Sequence, residues 1–294
     1  MKNPYFIVNP VSGGGLGLTR FNEIQTRLDE LAIPYTALYS ESGRHVTELT
    51  RRALQNAPDI VVAVGGDGTV REVGQELLHT GVPLGILPVG TGNDLSRSLG
   101  IARDHHEAFD QLLSCGHFPM DAATANGKLY LNVSGFGFDV DVLIKTERHK
   151  RRFGAAAYVL GLLHAIIGLR SYRITAETPD DKFETDIMLI AAGNGRYFGG
   201  GMMVTPQADV SDGLLDFCIV KAIPRRKVFM LFSKFMKGRH VEFDFVNFIK
   251  ATEMTLTCSP AAKVQLDGEI IEETPVTFKI LPGALSVVRP YAEG

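Results

Sequence analysis

The sequence predicts an α/β domain with a parallel sheet, followed by a second, mostly antiparallel β domain. In the first third, short apolar runs alternate with helical patterns, which is the signature of βα units. After about Met120 the rhythm changes to closely spaced strands separated by turn signals such as ANGK, TPDD, SDG and LPG. At 294 residues the chain is long enough to divide into two domains. The expected division is 1–122 and 123–287, with 288–294 able to complete the first domain.

Along the first domain, Tyr5–Val8 reads as a buried strand, followed by SGGGLG and an amphipathic helix through Phe21, Ile24, Leu28 and Leu31. Tyr35–Tyr39 is a second strand and Val46–Leu54 a second helix. Asp59–Val64 (DIVVAV) is apolar on both faces, as a central parallel strand should be. A helix over Val70–His79, a strand over Pro83–Leu87 and a short helix over Leu95–Leu99 follow. In the second domain, strands are expected at Lys128–Ser134, Tyr172–Glu177, Thr185–Ala192, Leu214–Val220, Glu253–Thr257, Val264–Leu266, Val276–Ile280 and Ala284–Val288. Helical stretches interrupt them near Phe153–Leu169 and Arg225–Lys237.

Composition excludes several classes. With 45% apolar and 21% charged residues the chain is globular rather than disordered. A net charge of −3 gives no general reason to expect nucleic acid. Cys115, Cys218 and Cys258 are far apart and form no CxxC pattern, which fits structural thiols in a reducing, cytosolic setting. The opening MKNPYFIVNP runs straight into a strand, so no signal peptide is expected. The longest apolar stretch, 154–169, falls short of the roughly 20 residues of a spanning helix. The histidines show no ligand spacing, and His105, His106 and His149 read as surface residues.

The chemistry concentrates in glycine loops. Gly65-Gly66-Asp67-Gly68-Thr69 lies between the central strand and a helix, where open parallel sheets bind ligands. Glycine lets backbone approach phosphate oxygens, and a helix N-terminus offers unpaired N–H groups. Asp67 then faces a phosphate, a magnesium ion or an attacking hydroxyl; the alternative is a tight turn with Asp67 or Thr69 as N-cap. Asn9-Pro10-Val11-Ser12-Gly13-Gly14-Gly15 follows the first strand and matches neither the Walker A nor the dinucleotide pattern. Pro88-Val89-Gly90-Thr91-Gly92-Asn93-Asp94 follows the fourth strand. Three such loops on one sheet edge point to a phosphate-binding rim, with plain turns as the alternative.

Other segments carry acids, cations or rings. In LDGE (266–269), Asp267 and Glu269 lie on opposite faces if the strand continues, or within mutual reach if a turn begins at Gly268. They are either transfer acids or the exposed acids of an Asp-Gly hairpin. Asp209 and Asp212, with the Leu214 carbonyl, either hold a divalent cation or cap a surface turn. Lys145–Arg152 (KTERHKRR) is either a basic membrane-facing segment or a solvated helix face. Tyr197-Phe198 borders a pocket or simply packs.

GGDGT at 65–69 followed by PLGILPVGTGNDLSRSLG at 83–100 resembles the diacylglycerol kinase catalytic family, which includes bacterial lipid kinases of the YegS and DgkB type. NPVSGGG, LNVSGFGFD, GNGRYFGGGMMVTP, DVSDGLLD and LDGE follow in that family's order, so the resemblance covers almost the whole chain. It implies a Rossmann-like nucleotide domain of the NAD kinase/diacylglycerol kinase type joined to a C-terminal β-sandwich. It also implies ATP and Mg2+ as cofactors and a lipid acceptor met at the membrane surface by a cytoplasmic, peripherally associating enzyme. Carried over by resemblance, the ATP site would comprise Asn9, Pro10, Val11, Ser12, Gly13, Ser40, Gly66, Asp67, Gly68, Thr69, Val70, Arg71, Glu72 and Thr91. Glu269 would be the proton acceptor, with Asp267 and Asp67 as further catalytic acids. Asp209, Asp212 and Leu214 would form a structural metal site, Asp121 and Asn132 would approach the cleft, and a homodimer is implied. The rivals are an NAD kinase, which shares the GGDGT loop, and a nucleotide-binding regulatory module without turnover.

Overall fold

The computed structural model describes residues 1–41, 43–153 and 157–290, and the chain divides into two compact units. The first comprises Met1–Ala122, Val210–Asp212 and the C-terminal segment from Leu281; the second comprises Ala123–Asp209 and Gly213–Ile280.

In the first unit, β1 (Pro4–Val8), α1 (Ser12–Glu30), β2 (Thr36–Tyr39), α2 (Gly43–Leu54), β3 (Ile60–Gly65), α3 (Asp67–Leu77), β4 (Leu84–Pro88), α4 (Asp94–Ser98), α5 (His105–Ser114) and β5 (His117–Ala125) follow in turn. The sheet order is β4-β3-β1-β2, all parallel, with Phe6 opposite Val62 on one side and Ala37 on the other. Every residue of β1, β3 and β4 is buried, which explains their uninterrupted apolar runs. Helix α1 buries Phe21, Ile24 and Leu28, and the Phe21 ring packs 5.3 Å from Phe6. Leu31, expected on that stripe, is instead the exposed C-cap, because the chain turns at once through Ala32 in the left-handed region. Sequence pattern missed α5. Its first turn, His-His-Glu, hides the stripe of Ala108, Phe109 and Leu112, and Asp104 caps it by accepting from the His106 and Glu107 amides.

The second unit carries β6 (Lys128–Tyr130), β7 (Val133–Gly137), α6 (Phe138–Phe153), α7 (Ala157–Ile167), β8 (Tyr172–Glu177), β9 (Lys182–Gly193), β10 (Tyr197–Phe198), β11 (Met202–Met203), β12 (Leu215–Lys221), α8 (Arg225–Phe235), β13 (Val246–Ala251), β14 (Glu253–Ser259), β15 (Lys263–Leu266), β16 (Glu269–Glu273) and β17 (Val276–Val288). The ladder β16-β15-β7-β9-β8-β14-β17 is antiparallel. Strand β9 is the pivot. Its first half pairs with β8, while its second half lies between β7 and β12. The enclosed core includes Tyr130, Phe217 and Phe278, whose rings meet edge-on at 6.2 Å. A second apolar layer, with Met188, Leu189, Val220, Val228 and Phe235, joins the other face of β9 and β12 to the helices.

The structure departs from the sequence pattern in three places. The single strand over Lys128–Ser134 is two strands, because the amides of 131–133 bond to a carboxylate rather than to a ladder. The pair over 276–280 and 284–288 is one strand, β17, passing through Gly283 at φ 58°; its amide donates to Asp121 Oδ1 at 2.7 Å. The helix expected near Phe153–Leu169 is two, with α6 beginning as early as Phe138, and β5, β13 and β16 were not foreseen.

Phe217→Ala should lower stability by about 3–5 kcal/mol in urea denaturation, since it empties a fully buried position among aromatic rings.

Candidate active site

Three loops leave the same edge of the first unit's sheet and touch one another. The Asn9 amide donates to the Val64 carbonyl at 3.0 Å, its side chain donates to Thr69 Oγ1 at 3.0 Å, and the Val89 amide donates to the Gly65 carbonyl at 2.8 Å. Backbone meets backbone where they cross: a Cβ on Gly90 would lie 2.5 Å from Gly66 Cα. Gly13 is doubly constrained, at φ 62° with a would-be Cβ 2.0 Å from the Val89 carbonyl oxygen. Only glycine fits such contacts. Ser12 Oγ lies 3.7 Å from where a Gly66 Cβ would be, and the Ser40 amide donates to the Val8 carbonyl, so Ser40 borders the same edge. Thr91 is exposed at the tip of the third loop.

Asp67 opens α3 and reaches across to the third loop. Its Oδ1 accepts from the Leu95 amide at 3.2 Å, and a Cβ on Gly92 would lie 3.0 Å from Oδ2. Burial pushes this carboxyl above its ordinary value, and the amides of Leu95, Asp94 and Asn93 pull it partly back. Asp67 is not the N-cap of α3, a place taken by Gly66 without a side-chain capping bond; its carboxylate instead ties the β3–α3 turn to the third loop. Gly68, Thr69 and Val70 form the first turn of α3; Arg71 and Glu72 follow, both half-buried.

In the second unit the sequence motifs knot around residues 131–133. Asp267 accepts from the amides of Leu131, Asn132 and Val133 at 2.8, 3.0 and 3.2 Å. The Asn194 side chain donates to the Leu131 carbonyl at 2.7 Å, the amides of Asn194 and Gly195 donate to the Asn132 carbonyl, and the Asn132 side chain donates to the Tyr197 carbonyl. Asp267 and Gly268, at φ 48° and 87°, form a two-residue hairpin turn between β15 and β16. Asp267 thus anchors the turn, and Glu269, opposite Leu266, projects from an exposed position just beyond it. Asp121 and Asn132 are buried and bonded to backbone.

Beside that hairpin lies an apolar cavity of about 740 Å³, mouth included, lined by α6, β9, β12, α8 and the β10–β11 hairpin. Its walls include Phe138, Leu143, Met188, Val220 and Phe235, and among the described residues its polar side chains are Asp139 and Gln265. Gln265 accepts from the Gly268 amide through Oε1 at 2.8 Å and donates through Nε2 to Asp139 Oδ2 at 3.3 Å. Asp139 Oδ1 is buried with no hydrogen-bond partner among the described residues, and burial pushes its carboxyl up to about 7. Gly268 itself lines the cavity, so the polar end of the cavity adjoins the turn that carries Glu269. Sequence reading missed Asp139. Its signal was an Asp in the first turn of a helix that directly follows a buried strand. Phe198 lines the same cavity.

Asp209 and Asp212 are exposed and Leu214 half-buried in the turn before β12, with Gly213 at φ 73°. Among the described residues no third acid or histidine gathers with the two aspartates. Of Lys145–Arg152, the side chains from 147 onward lie outside the described residues. No described helix is long and apolar enough to cross a membrane. His105 and His106 are not simple surface residues: both face Glu23.

The family model for the diacylglycerol kinase catalytic domain matches residues 3–125, and that for the YegS C-terminal NAD kinase beta sandwich-like domain matches 132–289. The chain belongs to the diacylglycerol kinase and YegS-like lipid kinase family. It is 30% identical over 296 residues to the diacylglycerol kinase of Mycobacterium tuberculosis, across 97% of this chain and 94% of that one. It is 36% identical to a Pseudomonas aeruginosa protein named Probable lipid kinase YegS-like, across 89% and 85%. A crystallised diacylglycerol kinase-type protein of Bacillus anthracis superposes with a TM-score of 0.83 at 27% identity, covering 99% of this chain and 96% of that one. The family's ordered motifs are therefore two physical knots here: one of glycine loops in the first unit, one around residues 131–133 in the second.

Asp139 makes stability depend on pH. Its native value near 7 stands above the roughly 3.9 of an unfolded aspartate, so the native state holds the extra proton between those values. Stability contributed by the protonated form is therefore complete at low pH and lost as pH rises through that window. Asp139→Asn should be more stable than the wild type at pH 8, by an amount on the order of a few kcal/mol, and near-equal to it at pH 4. Denaturant titrations at both values check this.

Proposed function

We propose that this chain transfers the γ-phosphate of Mg-ATP to the hydroxyl of a lipid of the diacylglycerol type. The observation that carries the reading is the apolar cavity whose polar end adjoins Glu269. A chain of methylene groups suits those walls, and burying each contributes roughly 0.8 kcal/mol. Asp139, whose burial keeps a large protonated fraction at neutral pH, would present a hydrogen-bonding partner to the lipid's polar end, and Glu269 would accept the hydroxyl proton.

The first unit's loops fit a triphosphate. Gly13, Gly66 and Gly90 let the three loops lie backbone against backbone at one sheet edge, and the N-terminus of α3 opens at that rim, where helix amides suit phosphate. Asn9 to Gly13, Ser40, Gly66 to Glu72 and Thr91 would line the nucleotide. Asp67 would hold the phosphate-bound Mg2+ or orient the acceptor. When bound, Mg2+ neutralises charge on the phosphate oxygens, which is the main demand of phosphoryl transfer. Asp209, Asp212 and the Leu214 carbonyl would hold a second, structural Mg2+, an ion that completes its shell with water. Asp267 would act by positioning, because its carboxylate carries the 131–133 amides. The lipid would be met at a membrane surface by peripheral contact.

The rival NAD kinase reading lacks support from the cavity, whose lining offers few partners for a dinucleotide's phosphates and riboses. Purified protein with γ-labelled ATP and Mg2+ should label diacylglycerol or a related lipid from a panel that includes phosphatidylglycerol, sphingosine and NAD; transfer to NAD alone would overturn the assignment. Asp67→Asn and Glu269→Gln should each lower kcat by about 100-fold or more with unchanged melting temperature. Normal rates in both variants would disprove these roles. Leu143→Arg, which places a cation in the cavity, should raise KM for long-chain lipid while leaving the KM for ATP near the wild-type value.

A further inference from the structure

Away from the loops and the cavity, the first unit gathers a second set of chemically capable side chains. Glu23 on α1 faces the first turn of α5. Its Oε2 lies 2.5 Å from His105 Nε2 and 3.3 Å from His106 Nε2, and the ligating atoms of all three residues fall within 4.8 Å of one another. Among the described residues this is the one cluster of three or more histidine, cysteine or acid groups with such spacing.

The backbone around it is tightly specified. Asp104 caps α5 by accepting from the His106 and Glu107 amides at 2.9 and 3.1 Å, which fixes the two histidines in helical register. One turn after Glu23, Arg27 donates to the His106 carbonyl at 3.2 Å, pairs with Asp110 at 2.5 Å and lies over the Phe109 ring. Arg27 thus clamps α1 to α5 beside the cluster. The His105 side chain is 13% exposed, whereas those of His106 and Glu23 are about half exposed, so an ion can enter from solvent.

We infer that Glu23, His105 and His106 form a binding site for a borderline-soft divalent transition ion, with Zn2+ as the best match. Imidazole nitrogen with one carboxylate is a Zn2+ donor set, whereas Mg2+ and Ca2+ favour oxygen. Zinc bonds near 2.1 Å in tetrahedral geometry place neighbouring ligand atoms roughly 3.3 Å apart. The Glu23–His106 separation already has that value, and the Glu23–His105 separation would open by under 1 Å. Water would complete the shell. A cation at a helix N-terminus is opposed by the dipole; here the carboxylates of Glu23 and Asp104 offset it, the latter 3.9 Å from His105 Nδ1. The ion would staple α1 to α5, and α1 begins at the Ser12–Gly15 loop.

The test uses the full chain with Zn2+ alone, without nucleotide or Mg2+. Competition against a chromophoric chelator should show one equivalent of Zn2+ bound by the wild type and lost in His106→Gln and in Glu23→Gln. Zn2+ should raise the melting temperature of the wild type, and that rise should vanish in both variants. Both exchanges are at half-exposed side chains, and circular dichroism verifies that the variants fold. Wild-type protein that binds no Zn2+, or variants that keep the same equivalent and the same thermal shift, would overturn the site.

Discussion

The contact on which the first unit's loop edge depends is the crossing of two backbones, at Gly66 and Gly90, with no side chain between them. Any Cβ at Gly90 would collide with the Gly66 Cα, and one at Gly66 would crowd Gly90 at 3.1 Å, so glycine lets the β3–α3 turn and the β4–α4 loop lie against each other. That approach brings Asp67 under the amides of α4 and lets Val89 bond to the Gly65 carbonyl. The Gly13 loop then closes over Val89. Backbone amides and carbonyls are thereby concentrated on one sheet edge, where strand ends already direct ligands.

The second unit follows a different rule. Its irregular segments are held by side chains that satisfy backbone groups a ladder would otherwise satisfy. Asp267, Asn194 and Asn132 all act on 131–133 or on segments beside it. This knot interrupts the strand that the sequence suggests there, and it sets the hairpin that carries Glu269 against the cavity. Gln265 continues the chain of bonds to Asp139, so one hydrogen-bonded line runs from the turn into an otherwise apolar space.

Much of this was legible. The βα rhythm, the central strand and the three glycine loops were readable because parallel strands buried on both faces leave continuous apolar runs, and because close backbone approach admits one residue type. The Asp-Gly turn was readable as well, since left-handed residues in sequence favour that pair. Helix α5 was not, because His105, His106 and Glu107 mask its periodicity and the cap at Asp104 acts through geometry alone. The roles of the two LDGE acids were equally hidden. Asp267 and Glu269 are chemically alike, and only the three amides facing Asp267 separate an anchor from an exposed acid. Asp139 was missed for the same reason: burial, invisible in one dimension, is what alters its acidity.

The anchoring of Asp267 also bears on how loss of activity at this hairpin should be interpreted. A carboxylate that gathers three successive amides holds a local loop in shape, and replacing it leaves those amides seeking other acceptors. An inactive protein altered there would report a deformed turn, with its neighbour displaced, rather than a missing proton carrier. Within a single four-residue stretch, one acid is spent on holding backbone and the other stands exposed, with one glycine between them.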